Sequence, residues 1–126
     1  MKTGPEYDGD VIRIEQLEVR AHIGVPDDER ASAQKLTVNL ALFPVRSLDD
    51  LNDEIGRAVN YAAVCDEANK FVEQRRDKLI ETLADALASH LLEAFEIRRI
   101  TVELRKYILP EVEFVSVTVT RERSEE

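Results

Sequence analysis

The chain has 126 residues, 44% of them hydrophobic and 34% charged, which is enough for one domain with a real core. Its formal charge of −9 counts against a nucleic-acid backbone or an anionic membrane as partner, and no apolar run approaches the roughly 20 residues that cross a bilayer. One cysteine, Cys65, and two histidines, His22 and His90, leave neither an internal disulfide nor a closed structural zinc set, so a reducing, bacterial-type cytoplasm is the expected setting.

Residues 1–10 are polar, lack the apolar core of a secretory signal and read as a flexible tail. A first strand is expected from about Val11 to Ile23. Ile12 and Ile14 share one parity, while Leu17, Val19, Ala21 and Ile23 share the other. The change at Glu15-Gln16 predicts a β-bulge or sharp bend. Gly24 to Arg30 forms a charged turn, after which Leu36, Val38, Leu40 and Leu42 alternate cleanly as a second strand. Residues 44–60 are polar and acidic and read as a loop with a short helical turn.

Asn60 is suited to cap a helix that starts near Tyr61 and carries the stripe Val64, Ala68, Phe71 and Val72. Asp77 is expected to cap a second helix, striped by Ile80, Ala84, Leu87, Leu91 and Phe95. Strands from about Arg99 to Lys106 and from Val112 to Arg121 follow, with Val115, Val117 and Val119 on one face; residues 123–126 are a short tail. The order ββααββ is that of an α+β domain over residues 11–122, an antiparallel four-stranded sheet with two helices on one face. Its outer edges invite pairing with a second copy, although a short or charged edge would serve a monomer equally well.

One residue stands apart. Ile100, Val102 and Leu104 alternate with polar residues, and continuing that parity places Lys106 on the apolar face while Arg105 points out. Such a lysine either snorkels from the rim to water or is held in place as a paired ammonium. Parity alone favours snorkelling.

Five local patterns bear on that choice. They are Ile23-Gly24-Val25 with Glu29 and Gln34; Val59-Asn60-Tyr61; Leu79-Ile80-Glu81-Thr82-Leu83-Ala84; the strand ending at Lys106; and Val115-Ser116-Val117 running through Arg121. In this order they resemble the dihydroneopterin aldolases, pterin-binding enzymes of the tunnelling fold (T-fold), over nearly the whole chain. The resemblance implies cleavage of 7,8-dihydroneopterin without metal, Schiff base or other cofactor. It also implies a homo-oligomer closed into a ring or barrel, tetramer or octamer, with active sites at subunit interfaces.

By position in these motifs, Lys106, Tyr61 and Glu29 are the implied catalytic residues. Glu81, with the backbone of Leu79 and Ile80, is the implied pterin anchor. On residue type alone, Glu81 is an ordinary acid at a helix N-terminus, Tyr61 an aromatic with a polar tip, and Glu29 a solvated charge. Spacing leaves Asp27 and Asp28 as alternatives to Glu29. His22, His90 and Cys65 read as structural.

The resemblance breaks in two places. The family usually has proline directly after its lysine, whereas Tyr107-Ile108-Leu109 separate Lys106 from Pro110 here. Pro26 stands where an aromatic is common. Two readings compete with the aldolase: the related dihydroneopterin triphosphate 2'-epimerase, for which Arg30 and Arg105 would be the basic residues at the mouth, and a non-catalytic pterin or purine binder. The zinc-dependent pyruvoyl-tetrahydropterin synthases of the same fold need three histidines, and this chain has two.

Overall fold

The computed structural model describes residues 9–124. Of the segments read as tails, residues 1–8 and 125–126 lie outside the described residues. Four strands are present: β1 (Ile12–Ala21), β2 (Gln34–Pro44), β3 (Ile97–Lys106) and β4 (Val115–Glu122). They form one antiparallel sheet in the order β1-β2-β3-β4. The charged turn contains a single helical turn, α1 (Asp27–Arg30), and the two long helices are α2 (Tyr61–Glu73) and α3 (Ile80–Ala94). The acidic loop after β2 carries two short 3-10 turns, Leu48–Asp50 and Ile55–Arg57.

The expected bulge is present. The β1–β2 register shifts between Ile14 and Leu17, and Gln16 adopts φ 61, the left-handed region that side chains rarely occupy. Its amide donates to Asn39 Oδ1 at 2.7 Å, a partner the interrupted ladder does not supply. Beyond the bulge, Val19 and Ala21 turn to the helices with Leu36, Val38, Leu40 and Leu42.

α2 lies over β1, and α3 lies over β3 and β4. Val64, Ala68 and Val72 of α2 and Leu83, Ala84, Leu87 and Leu91 of α3 complete a core with Ile100, Val102 and Leu104. A register irregularity at Phe43/Pro44 lets β3 begin at Ile97, two residues before the expected Arg99, and brings Ile97 into the same core. β4 begins at Val115 instead of Val112, because Val112 lies in the exposed loop after Lys106.

His90 is structural. Its ring stacks on Phe71 at 4.3 Å and its Nε2 meets Glu67 Oε2 at 2.7 Å, which ties α3 to α2. Cys65 is half-buried, and burial pushes its thiol up, away from nucleophilic use. At the C-terminal end, Arg123 donates to the carbonyls of Leu92 and Phe95, each at 2.6 Å, and of Ile97 at 2.9 Å, filling acceptors that a helix end leaves open.

Leu87 is fully buried where α3 meets the sheet. Leu87→Ala is expected to cost about 2–5 kcal/mol in urea unfolding, through lost transfer energy and the cavity left behind. A cost within experimental error would show that the helix does not pack there.

Candidate active site

Lys106 is the last rung of β3 on both sides, opposite Leu36 of β2 and Val115 of β4. Strand alternation turns its side chain to the helix face, where only 14% of it stays exposed. An ammonium so placed needs a counter-charge. It has one: Nζ lies 2.9 Å from Glu29 Oε2. Snorkelling is therefore not what Lys106 does.

Glu29 is aimed by a loop that bonds to itself. Arg30 donates to the carbonyls of Gly24 at 2.8 Å and Val25 at 2.9 Å and pairs with Asp27, while its own backbone carbonyl accepts from His22 Nδ1–H at 3.0 Å. Gln34 Nε2 donates to both Ile23 O at 2.9 Å and Glu29 Oε2 at 3.2 Å, so β2 holds the carboxylate from behind. The Glu29 side chain lies directly on Gly24, whose φ of 144 is open to glycine alone; a Cβ there would overlap Glu29 Oε1. Of the three acids in the loop, Glu29 meets Lys106, whereas Asp27 is taken by Arg30 and Asp28 is exposed.

The ammonium hydrogen-bonded to it, with help from the Gln34 amide, holds the Glu29 carboxyl below the usual carboxylate range, against the opposing effect of burial. Glu29 also lines a cavity of about 470 Å³, together with Asp28, Gln34, Lys35 and Tyr107 among others.

The start of α3 lies at the same end of the sheet, since Gly24 N donates to Asp77 O at 3.3 Å. Asp77 is not the cap expected of it. Its carboxylate accepts two bonds from Arg75, at 2.7 and 3.1 Å, and the helix starts at Ile80 with Leu79 in the N-cap position and no side-chain cap. The first N–H groups of α3 are thus left to an outside acceptor. Leu79 is exposed, Ile80 buried, and the Glu81 carboxylate exposed in the first turn.

Tyr61 is elsewhere. It opens α2 under the Asn60 cap, whose Oδ1 accepts from Ala63 N at 3.1 Å, and it is 62% exposed. Asn60 and Val59 line a cavity with Pro44, Phe95 and Glu96, and Pro44 pairs with Ile97, the opposite end of β3 from Lys106. At 3.3 Å per residue the two ends of β3 are roughly 30 Å apart. One chain brings Lys106, Glu29 and the start of α3 to one end and leaves Tyr61 at the other. Among the described residues, no group of three or more His, Cys, Asp and Glu is placed to hold a metal ion.

Two contributors escaped sequence reasoning as site residues. Gln34 was visible only as a motif position, and the role of Gly24 depends on a positive φ and a close carboxylate that spacing does not reveal.

The depressed pKa of Glu29 has a consequence for stability. Its favourable contribution is complete above the ordinary carboxylate value of 4.5 and is lost as pH falls through the lower folded value. Urea unfolding is expected to separate the native protein from Glu29→Gln at neutral pH, with a gap that narrows as pH falls below 4.5 and closes once pH is below the lowered folded value. A gap that stays constant across this range would contradict the ion pair.

The sequence and the fold are both matched among known proteins. The family model described as FolB, dihydroneopterin aldolase, matches residues 12–121. A dihydroneopterin triphosphate 2'-epimerase of Pseudomonas aeruginosa is 30% identical over 114 residues, covering 89% of this chain and 92% of the relative. A dihydroneopterin aldolase of Streptomyces coelicolor is 31% identical over 116 residues, covering 91% and 98%. The crystal structure of Escherichia coli dihydroneopterin aldolase in complex with neopterin superposes with a TM-score of 0.81 at 28% identity, covering 89% of this chain and 98% of that one. The chain belongs to the dihydroneopterin aldolase family.

Proposed function

We propose that the protein is a cytoplasmic dihydroneopterin aldolase that cleaves 7,8-dihydroneopterin into 6-hydroxymethyl-7,8-dihydropterin and glycolaldehyde. The observation that carries this reading is the Lys106–Glu29 pair, 2.9 Å apart, at the same end of the sheet as the uncapped start of α3. Family membership and the neopterin held by the E. coli relative support the substrate class.

The substrate carries its own electron sink. Breaking the bond between the first and second side-chain carbons releases an electron pair that moves through C6=N5 and leaves a proton demand at N5. The hydroxyl on the second carbon loses its proton and becomes the aldehyde of glycolaldehyde. The first carbon then takes a proton as N5 gives one up. No external oxidant or co-reactant is required, and the protein's task is proton transfer.

In this reading Lys106 delivers the proton toward N5, holding a water while the side-chain hydroxyl is deprotonated. Glu29 accepts the substrate's side-chain hydroxyls and keeps the ammonium paired. Glu81 takes the 2-amino group and N3–H as two parallel donors, a bidentate, charge-assisted grip, and the backbone N–H groups of Leu79 and Ile80 meet the pterin carbonyl. Tyr61 handles the proton at the first side-chain carbon. Its position roughly 30 Å away along the sheet supports a site completed by Tyr61 of a second copy, in a homo-oligomeric ring of four or a pair of such rings.

A second reading is the 2'-epimerase, the name carried by the Pseudomonas aeruginosa relative; inverting the second side-chain carbon would break and remake the same bond. Against it, the two arginines expected at the mouth are engaged. Arg30 is bound within its own loop, and Arg105 sits on the opposite sheet face, 4.3 Å over the Phe114 ring and 3.3 Å from Glu103. Chromatography of the products separates the two readings: glycolaldehyde and hydroxymethyldihydropterin mark the aldolase, and the monapterin isomer alone marks the epimerase.

Lys106→Ala is expected to retain neopterin binding while turnover falls roughly 10²–10⁴-fold, the usual cost of a lost general acid–base group. Unchanged turnover would remove Lys106 from the chemistry. Co-expressing Lys106→Ala with Tyr61→Phe is expected to restore about a quarter of native turnover, because random assembly gives about one site in four both native residues. Activity no higher than that of the separate variants would contradict a shared site.

A further inference from the structure

Lys106 stands at the very end of the ladder, a weak place for a group that must be held in position. Both ladders that flank β3 stop at this residue. The chain then leaves the sheet in a loop, residues 107–114, in which only Phe114 is half-buried. Strand ends fray, and a frayed last rung would let the ammonium swing away from Glu29.

The structure holds this rung from behind. Tyr107 points to the face opposite Lys106, as alternation requires, and its hydroxyl lies 2.7 Å from Thr37 Oγ1 on β2. Thr37 is 7% exposed and adjoins Leu36, the ladder partner of Lys106. The bond runs diagonally across the two strands, a reach open to a long aromatic side chain but not to a short one. The Tyr107 ring also meets Phe114 edge-on, with centroids 6.0 Å apart, and carries Lys35 Nζ at 5.7 Å from its centroid. Phe114 in turn lies under the Arg105 guanidinium. Both ends of the 107–114 loop are thereby joined to each other and to β2.

We infer that Tyr107, through its hydrogen bond to Thr37, is a positioning residue that fixes the direction of the Lys106 side chain toward Glu29. Anchoring residue 107 by its tip on one face sets the backbone at residue 106 and with it the Cα–Cβ vector on the other face. The tyrosine hydroxyl acts on the chemistry only through Lys106. This inference rests on the reading of Lys106 as the acid–base group, and misplacing such a group by about 1 Å costs up to roughly 10²-fold in rate.

Tyr107→Phe keeps the ring and its contacts with Phe114 and Lys35 and removes the hydroxyl, which Arg105 also meets; Thr37→Val removes the Thr37 half of the bond and leaves the Arg105 contact, and Thr37→Ser keeps a hydroxyl. On 7,8-dihydroneopterin, Tyr107→Phe and Thr37→Val are each expected to lower kcat roughly tenfold, with KM within about twofold of native. The double variant is expected to be no worse than Tyr107→Phe, because the bond between the two hydroxyls is lost once. Thr37→Ser is expected to recover most of the rate.

A readout independent of turnover is the rate at which acetic anhydride acetylates Lys106, measured by peptide mass spectrometry against the exposed Lys70. That rate is expected to rise several-fold in Tyr107→Phe and Thr37→Val and to stay native in Thr37→Ser. Native kcat together with native Lys106 labelling in Tyr107→Phe would overturn the inference, and so would a raised KM at unchanged kcat, which would mark the hydroxyl as a substrate contact. If the native protein fails to turn over dihydroneopterin, the aldolase reading falls on its own. The labelling series then still decides whether Thr37 and Tyr107 position Lys106.

Discussion

An ammonium group kept on the apolar face of a sheet must be paid for by its surroundings, and much of this chain is arranged to hold the partner that neutralises it. Lys106 reaches that face by strand alternation. Glu29 comes to meet it from a loop that has no strand to stiffen it. The loop is instead tightened by Arg30 on two carbonyls, by Gln34 reaching back from β2, and by Gly24, where the lack of a side chain lets the carboxylate lie against the backbone. Remove the pair and the Gly24–Gln34 segment loses the reason for its shape. Keep it, and the same end of the sheet presents a cation, an anion and the start of a helix that no side chain caps.

The division of the proposed site between two ends of the molecule follows from topology. β2 enters near Lys106, since Leu36 is its ladder partner, and leaves near Ile97 through Pro44. The helix that follows must therefore start at the far end, and Tyr61 is its first residue. No side-chain motion spans roughly 30 Å, the length of a ten-residue strand. The proposed roles therefore call for a second copy, and the outer edges of β1 and β4, which have no neighbouring strand among the described residues, offer backbone donors and acceptors for pairing.

The framework was legible in the amino-acid sequence because it depends on local periodicity. The parity change at Glu15-Gln16 announced the bulge, the run from Leu36 to Leu42 the second strand, and Asn60 the start of α2; each answers to an alternation or a cap within a few residues. The side of the sheet on which Lys106 lies was legible for the same reason. The failures share a different cause. Asp77 before an apolar stripe looks like a helix cap, but a neighbouring Arg75 competes for the same carboxylate and wins. Val112 looks like the next alternating residue of a strand, but the loop that closes on Phe114 keeps it out. The bond between Thr37 and Tyr107 joins residues 70 positions apart, and the seat of Glu29 depends on a backbone angle at Gly24. Neither leaves a mark in local pattern.

The most direct test of the account is a crystal structure of the assembled protein with neopterin bound. The expected result places the flat ring edge-on to the Glu81 carboxylate and the N-terminus of α3, with the hydroxylated side chain directed to the Lys106–Glu29 pair and Tyr61 of a second copy closing the site. Neopterin bound away from Glu81, or Lys106 turned into bulk solvent with Glu29 unpaired, would contradict it.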